Sequence, residues 1–309
     1  MNSVQAFLES RTNEEPIYVR MWLPDGEAAA VIQLVHGMAE HIGRYADFAM
    51  FLASRGYAVV GHDHAGHGQS MLNSAHEGVL ADSHGWERLI DDTRTVFEYA
   101  SGLYAGKPYM LFGHSMGSMV LRSYMMRYSD ADGFIICGTC GRNPAIGMAR
   151  LLAKLQIARH GAAAKGAFLD KLAFGGYNKR WTEEGDPLSW LSANVENRRR
   201  YEADPRCGFL FTNGAFLDMF DGIKEISSPA WARSAAHKPI LLIAGADDPV
   251  GSFGDGVKQV NDALLAAGHE VTFKLYAGMR HEILNEDGNE EVYGDVLDFA
   301  DAVTRAYEV

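Results

Sequence analysis

Cysteine is scarce: Cys137, Cys140 and Cys207 are the only three in 309 residues. So odd and sparse a set, in a chain long enough to build its own core, excludes a disulfide-stapled scaffold. It fits a reducing compartment, and the cytoplasm is the expected location. Cys137 and Cys140 have C-x-x-C spacing, but no second cysteine pair completes a zinc site, so the spacing reads as coincidence. Basic charge is short as well. Twenty-eight Lys and Arg against 40 Asp and Glu leave a net charge of -12, which argues against a broad nucleic-acid-binding surface. The run Arg198-Arg199-Arg200 reads as a solvated helix face. No apolar run approaches a membrane span, and residues 1–10 have neither a basic leader nor a continuous apolar region, so they do not read as a secretory signal.

What is present is an alternation of short apolar runs with amphipathic stretches. Strands are expected at Ile17–Leu23, Ala30–Val35, Tyr57–Val60, Tyr109–Phe112, Gly133–Cys137, Pro239–Ala244 and Val271–Tyr276. Helical spacing marks Tyr45–Ser54, Trp86–Leu103 and Ser118–Tyr128. Such alternation indicates an α/β fold, a mostly parallel sheet covered by helices on both faces, with ligands bound at the carboxyl ends of the strands. Between Gly141 and His237 the alternation stops, and large apolar residues at helical spacing take over, among them Met148, Leu151, Leu152 and Leu155. The expected organisation is therefore a core in two parts, residues 1–140 and 238–309, interrupted by a helical cap at 141–237. Most apolar cap residues are expected to pack in a core; some can line an apolar tunnel.

Gly113-His114-Ser115-Met116-Gly117 follows the expected strand Tyr109–Phe112 directly and has the G-x-S-x-G pattern of a nucleophile elbow. The glycines relieve the crowding of a sharp strand-to-helix turn and leave Ser115 exposed at its tip. A serine hydroxyl is a weak nucleophile and needs a base, which in turn needs an orienting group. Two later strand ends supply them: Asp247 and Asp248 after Ile240–Ala244, and His281 after Val271–Tyr276. The order Ser, Asp, His is that of an α/β-hydrolase triad. Either aspartate can fill the orienting role on this reading. The oxyanion needs two backbone donors, assigned to the amides of Met116, next to the nucleophile, and Met38, in the loop after Val35.

At this point the chain resembles the monoacylglycerol lipase and lysophospholipase-like serine hydrolases of the α/β-hydrolase superfamily. The resemblance rests on the elbow, on His36-Gly37-Met38-Ala39-Glu40-His41-Ile42-Gly43-Arg44-Tyr45, on Gly61-His62-Asp63-His64-Ala65-Gly66-His67-Gly68-Gln69-Ser70, on Asp248-Pro249-Val250-Gly251 and on Arg280-His281-Glu282-Ile283-Leu284-Asn285-Glu286. It extends to Asp186–Leu191 and Tyr201–Pro205 in the expected cap. It implies that Asp248 rather than Asp247 is the triad acid. It also implies that Glu40 and Arg44, otherwise readable as a solvated ion pair of little worth, order the oxyanion loop and the headgroup end of the site. His114 joins them as a substrate-binding or loop-ordering candidate. Ala65 departs from the family, which more often has arginine there, so that polar contact is absent.

The implied activity is hydrolysis of a carboxylic ester, a monoacylglycerol or lysophospholipid with one acyl chain, through an acyl-enzyme and with no cofactor. Transient membrane-surface contact through the cap is compatible with its apolar residues. Three other readings compete. His62-Asp63-His64-Ala65-Gly66-His67 looks superficially like a binuclear zinc run but has Gly66 where the fifth-position aspartate is required, so no metal is expected. A small-ester esterase or an aminopeptidase can use the same triad, the latter with Glu183, Glu184 and Asp186 as an amine-capturing cluster. A ligand-binding protein can use the same scaffold without chemistry. A fluorophosphonate probe separates the last from the rest: folded wild-type protein is expected to label at Ser115 and Ser115→Ala not at all, whereas unlabelled wild type removes the hydrolase reading.

Overall fold

The computed structural model describes residues 2–11, 15–228 and 230–307. Among these, eight strands form one sheet: β1 (Asn2–Glu9), β2 (Pro16–Leu23), β3 (Val31–Val35), β4 (Ala58–His62), β5 (Tyr109–His114), β6 (Gly133–Cys137), β7 (Ile240–Gly245) and β8 (Val271–Tyr276), in the order β1-β2-β4-β3-β5-β6-β7-β8. From β4 through β8 the pairing is parallel, while β1 and β2 join one side antiparallel. Strands β3 to β7 are buried at every position, which is why they read as nearly continuous apolar runs rather than alternations.

Two apolar layers cover the sheet. Helices α1 (Ala46–Ser54) and α10 (Asn289–Tyr307) pack on one face, with Phe48, Leu52, Val292 and Val296 against Ile32, Phe112 and Leu241. Helices α2 (Gly85–Leu103), α3 (Met116–Met125) and α9 (Asp255–Ala266) cover the other. Between β6 and β7 lie α4 (Ile146–His160), α5 (Ala167–Phe174), a 3-10 stretch at Tyr177–Glu184, α6 (Val195–Ala203), α7 (Asn213–Ile226) and α8 (Trp231–Ser234).

The expected strands and helices are all present, with ends moved by up to three residues. One strand is additional. Asn2–Glu9 pairs residue for residue with β2 but is exposed along most of its length, so its backbone ladder holds it and no buried face imposes a period on its side chains. Two other expectations are corrected. Met148, Leu151 and Leu155 on α4, with Phe168 and Leu172 on α5, are roughly half exposed rather than packed. Arg198 is only 6% exposed, because α6 turns that face inward. Its guanidinium meets Glu184 and Asp186, while Arg199 and Arg200 remain at the surface.

The inserted helices are seated closely on the core. Gly222 of α7 lies against the Trp86 indole of α2, where a Cβ would come within 2.0 Å of a ring carbon. Trp86 is itself fixed by donating from Nε1 to Ser123 Oγ at 3.0 Å. Gly222→Ala therefore overpacks a rigid contact and is expected to cost about 1–3 kcal/mol of stability, read as a lowered urea midpoint with an unchanged slope.

Candidate active site

Ser115 sits between β5 and α3 with φ 53° and ψ −121°, a conformation strained for any residue with a Cβ. The surroundings hold it there. Its amide donates to Cys137 O at 3.0 Å, and its carbonyl accepts from Ser118 N at 2.9 Å and Ser118 Oγ at 2.6 Å. Neither elbow glycine has room for a side chain: a Cβ on Gly113 would lie 2.5 Å from Gly117 O, and one on Gly117 would lie 2.0 Å from Val35 O. The turn thus presses the start of α3 against the end of β3, and so places Ser115 beside the Gly37–Met38 loop.

The structure joins His281 and Asp248, which follow β8 and β7. His281 Nδ1 lies 2.9 Å from Asp248 Oδ2, and both side chains are buried. Asp248 Oδ1 accepts from Val250 N at 2.8 Å, which fixes the carboxylate. Asp247 makes no hydrogen bond to His281 among the described residues; its amide donates to Met279 O. Burial works against an imidazolium at His281, but the charge and hydrogen bond of Asp248, joined by Glu282, outweigh it and move the pKa above its ordinary 6.5. The ring lies between His114, at 4.8 Å between centroids, and Trp190, at 5.4 Å. His114 is pushed down to about 3 by burial and by His281, so it packs there as a neutral ring.

Ser115, His281, Met38 and Met116 all line one cavity of about 660 Å³. Among the described residues, the amides of Met38 and Met116 donate to no protein acceptor. Beneath Met38, Glu40 Oε1 accepts from Gly37 N at 2.6 Å and from Tyr45 Oη at 2.8 Å, while Glu40 Oε2 accepts from Arg44 at 2.8 Å. Arg44 also grips both oxygens of Glu282, the residue after His281. Glu40 and Arg44 are therefore a buried bridge between the two loops, correcting the reading as a solvated pair. Burial opposes the Glu282 charge, but Arg44 and Asn197 hold its pKa down to about 2. Burial, reinforced by Glu282, raises that of Glu40.

Several residues here carried no role in the sequence reading. Glu286 accepts from Arg280 N, from Ser192 Oγ and from the amides of Ala193 and Asn194. Arg280 reaches Glu184 and the Ser189 carbonyl, and Asn197 donates to Glu282 at 2.6 Å. These contacts sew the stretch 184–197 to the His281 loop. A sequence signal existed for Arg280, Glu282 and Glu286, through their nearness to His281.

The histidine-rich loop turns its rings into the interior. His36, His62, His64 and His67 are buried ring against ring, and burial moves all four pKa values down, His64 to about 4 and His67 to about 3. Among the described residues, one His/Asp/Cys group has metal-like proximity: His41, Asp204 and Cys207. There, His41 Nδ1 accepts from Gly43 N, so Nε2 carries the proton toward Asp204 at 2.9 Å and has no lone pair to offer a cation.

A mostly parallel sheet of this order, carrying its serine at a strained elbow and a carboxylate–imidazole pair after its last two strands, defines an α/β-hydrolase. With the relatives below, it places the chain among the serine-type hydrolases of carboxylic esters. The chain belongs to the family described as serine aminopeptidase, S33, which matches residues 26–288. It is 28% identical over 284 residues to a monoacylglycerol lipase of Mycolicibacterium smegmatis, covering 89% of each chain. A highly thermostable carboxyl esterase from Bacillus coagulans, solved with glycerol, superposes with a TM-score of 0.91 at 28% identity over 98% of this chain and 99% of that one. A soluble variant of the Saccharomyces cerevisiae monoglyceride lipase shares the fold, with a TM-score of 0.76 at 17% identity over 96% and 94%.

The His281 environment makes a titration prediction. Followed by NMR, the imidazole is expected to titrate above 6.5 in the native protein and to move downward in Asp248→Asn, because the charge that favours the imidazolium is removed. An unchanged value would show that Asp248 does not set it.

Proposed function

We propose that Ser115 attacks the ester carbonyl of a single-acyl lipid, a monoacylglycerol or lysophospholipid, with His281 as general base and Asp248 fixing the imidazole's tautomer. The observation that carries this reading is the shared cavity. Ser115 and His281 open into the same space, in which Met119, Met148, Leu152, Leu172, Phe174 and Phe220 offer an apolar wall and Glu40, Glu282 and Tyr201 a polar end. An acyl chain suits the first and a hydroxyl-bearing headgroup the second.

His281 Nε2 takes the Ser115 proton as Oγ bonds to the carbonyl carbon, and the Met38 and Met116 amides stabilise the oxyanion. The protonated imidazole returns that proton to the departing alcohol, and water activated by the same base releases the fatty acid. Glu40 and Arg44 keep the Gly37–Met38 loop in register with the His281 loop.

Residues 141–237 act as a cap over the cavity. The half-exposed Leu151, Leu155 and Phe168 would touch a lipid surface while substrate enters. Among the described residues no helix is long and apolar enough to cross a membrane. We place the protein in the cytoplasm, in keeping with its unpaired cysteines. The aminopeptidase reading is weakened by Glu184 and Asp186, whose carboxylates are committed to Arg280 and Arg198 rather than left to receive an amine.

Ser115→Ala is expected to lower kcat on 1-monooleoylglycerol by more than about 10⁴-fold. Wild type is expected to prefer that substrate to an aminoacyl p-nitroanilide. Residual turnover close to wild type, or faster cleavage of the anilide, would reject the proposal.

A further inference from the structure

Ala39, between the Met38 amide and the buried Glu40, has a φ of 52°. A residue with a Cβ is strained in that left-handed region and stays there only when its neighbours over-determine it. Three hydrogen bonds do so, from two directions. From the core side, His67 Nε2 accepts from Ala39 N at 3.2 Å. From the inserted helices, Tyr201 Oη and Gly208 N both donate to Ala39 O, at 3.0 and 2.9 Å.

Each partner is itself fixed in the form this needs. His67 Nδ1 lies 2.8 Å from Ala65 O and so carries the proton, which leaves the Nε2 lone pair free to accept. Phe209 and Phe211 pack edge-on against the ring at 5.0 and 5.4 Å. The Tyr201 ring lies under the Arg44 guanidinium at 4.8 Å, the same guanidinium that bridges Glu40 and Glu282.

We propose that Tyr201 and His67 are positioning residues for the oxyanion-stabilising Met38 amide, gripping Ala39 from opposite sides. The cap segment around Tyr201 thereby sets the rate of the chemical step as well as roofing the cavity. An amide displaced by a fraction of an ångström loses more on the tetrahedral intermediate than on the planar ester. This proposal rests on the reading of Ser115 as nucleophile.

The test is Tyr201→Phe, which deletes one hydroxyl and keeps the ring on Arg44. With 1-monooleoylglycerol, kcat is expected to fall about threefold to tenfold, the worth of one neutral hydrogen bond, with KM within about twofold of wild type. Inhibition by n-octylboronic acid, whose tetrahedral adduct with the serine puts an oxygen in the oxyanion position, is expected to weaken by a similar factor. An unchanged kcat, or a loss confined to KM, overturns the proposal.

If Tyr201→Phe melts early, a second pair decides. His67→Gln, which keeps an acceptor, is expected to retain kcat within about twofold, while His67→Leu loses about threefold to tenfold; equal loss in both overturns the proposal. Wild type that turns over no ester at all sinks the nucleophile assignment instead, and an active wild type with an unaffected Tyr201→Phe sinks this proposal alone.

Discussion

At the end of β5 the backbone must change from strand to helix around one residue, and the space it does so in is closed. Val35 O and Gly117 O stand where the side chains of residues 117 and 113 would be. That close approach ties the serine to the end of β3, and the end of β3 begins the loop carrying Met38. Once the elbow is formed, Ser115 and the Gly37–Met38 loop have no independent positions. Energy for the strain at Ser115 comes from the buried sheet and the helices packed on it rather than from the site.

A second, polar level of organisation joins the remaining parts. The loops that carry His281 and Met38 come from strands separated by three others in the sheet, and Arg44 spans them by holding Glu40 and Glu282 together. Removing one member of such a buried set leaves an uncompensated charge, so its effect would exceed that of a surface pair. The inserted segment enters the same network through Asn197, Arg280–Glu184 and the Glu286 carboxylate. The apolar outer faces of α4 and α5 lie outside it. The segment between β6 and β7 therefore has a part fastened to the His281 loop and a part that offers apolar surface.

The sheet was legible in the sequence because burial on both faces writes itself as short, nearly continuous apolar runs, as in Val31–Val35, broken only by Gln33, and Gly133–Cys137. Ser115 and Asp248 were legible as candidates because each follows such a run, and His281 because it follows the alternating strand Val271–Tyr276; choosing Asp248 over Asp247 required the family resemblance, and the structure brings Asp248 to His281 Nδ1. The edge strand Asn2–Glu9 was not legible, since an exposed strand held by its ladder needs no apolar period. Nor was the fate of charged residues in the insertion. Arg198 and Arg199 are adjacent in the chain, yet one is buried in carboxylates and the other faces solvent. What separates them is the seat of α6, a tertiary fact with no local signature. The same holds for Tyr201 and His67, whose partner is a backbone group more than twenty residues away.

On the proposed mechanism an acyl group passes through Ser115. Wild-type protein mixed with 1-monooleoylglycerol, quenched in acid within one turnover, digested and analysed by mass spectrometry tests it directly. An oleoyl adduct is expected on the peptide containing Ser115, absent after longer incubation as water clears it. An adduct on any other residue, or glycerol release with no adduct at the shortest times in a rapid-quench series, would contradict it.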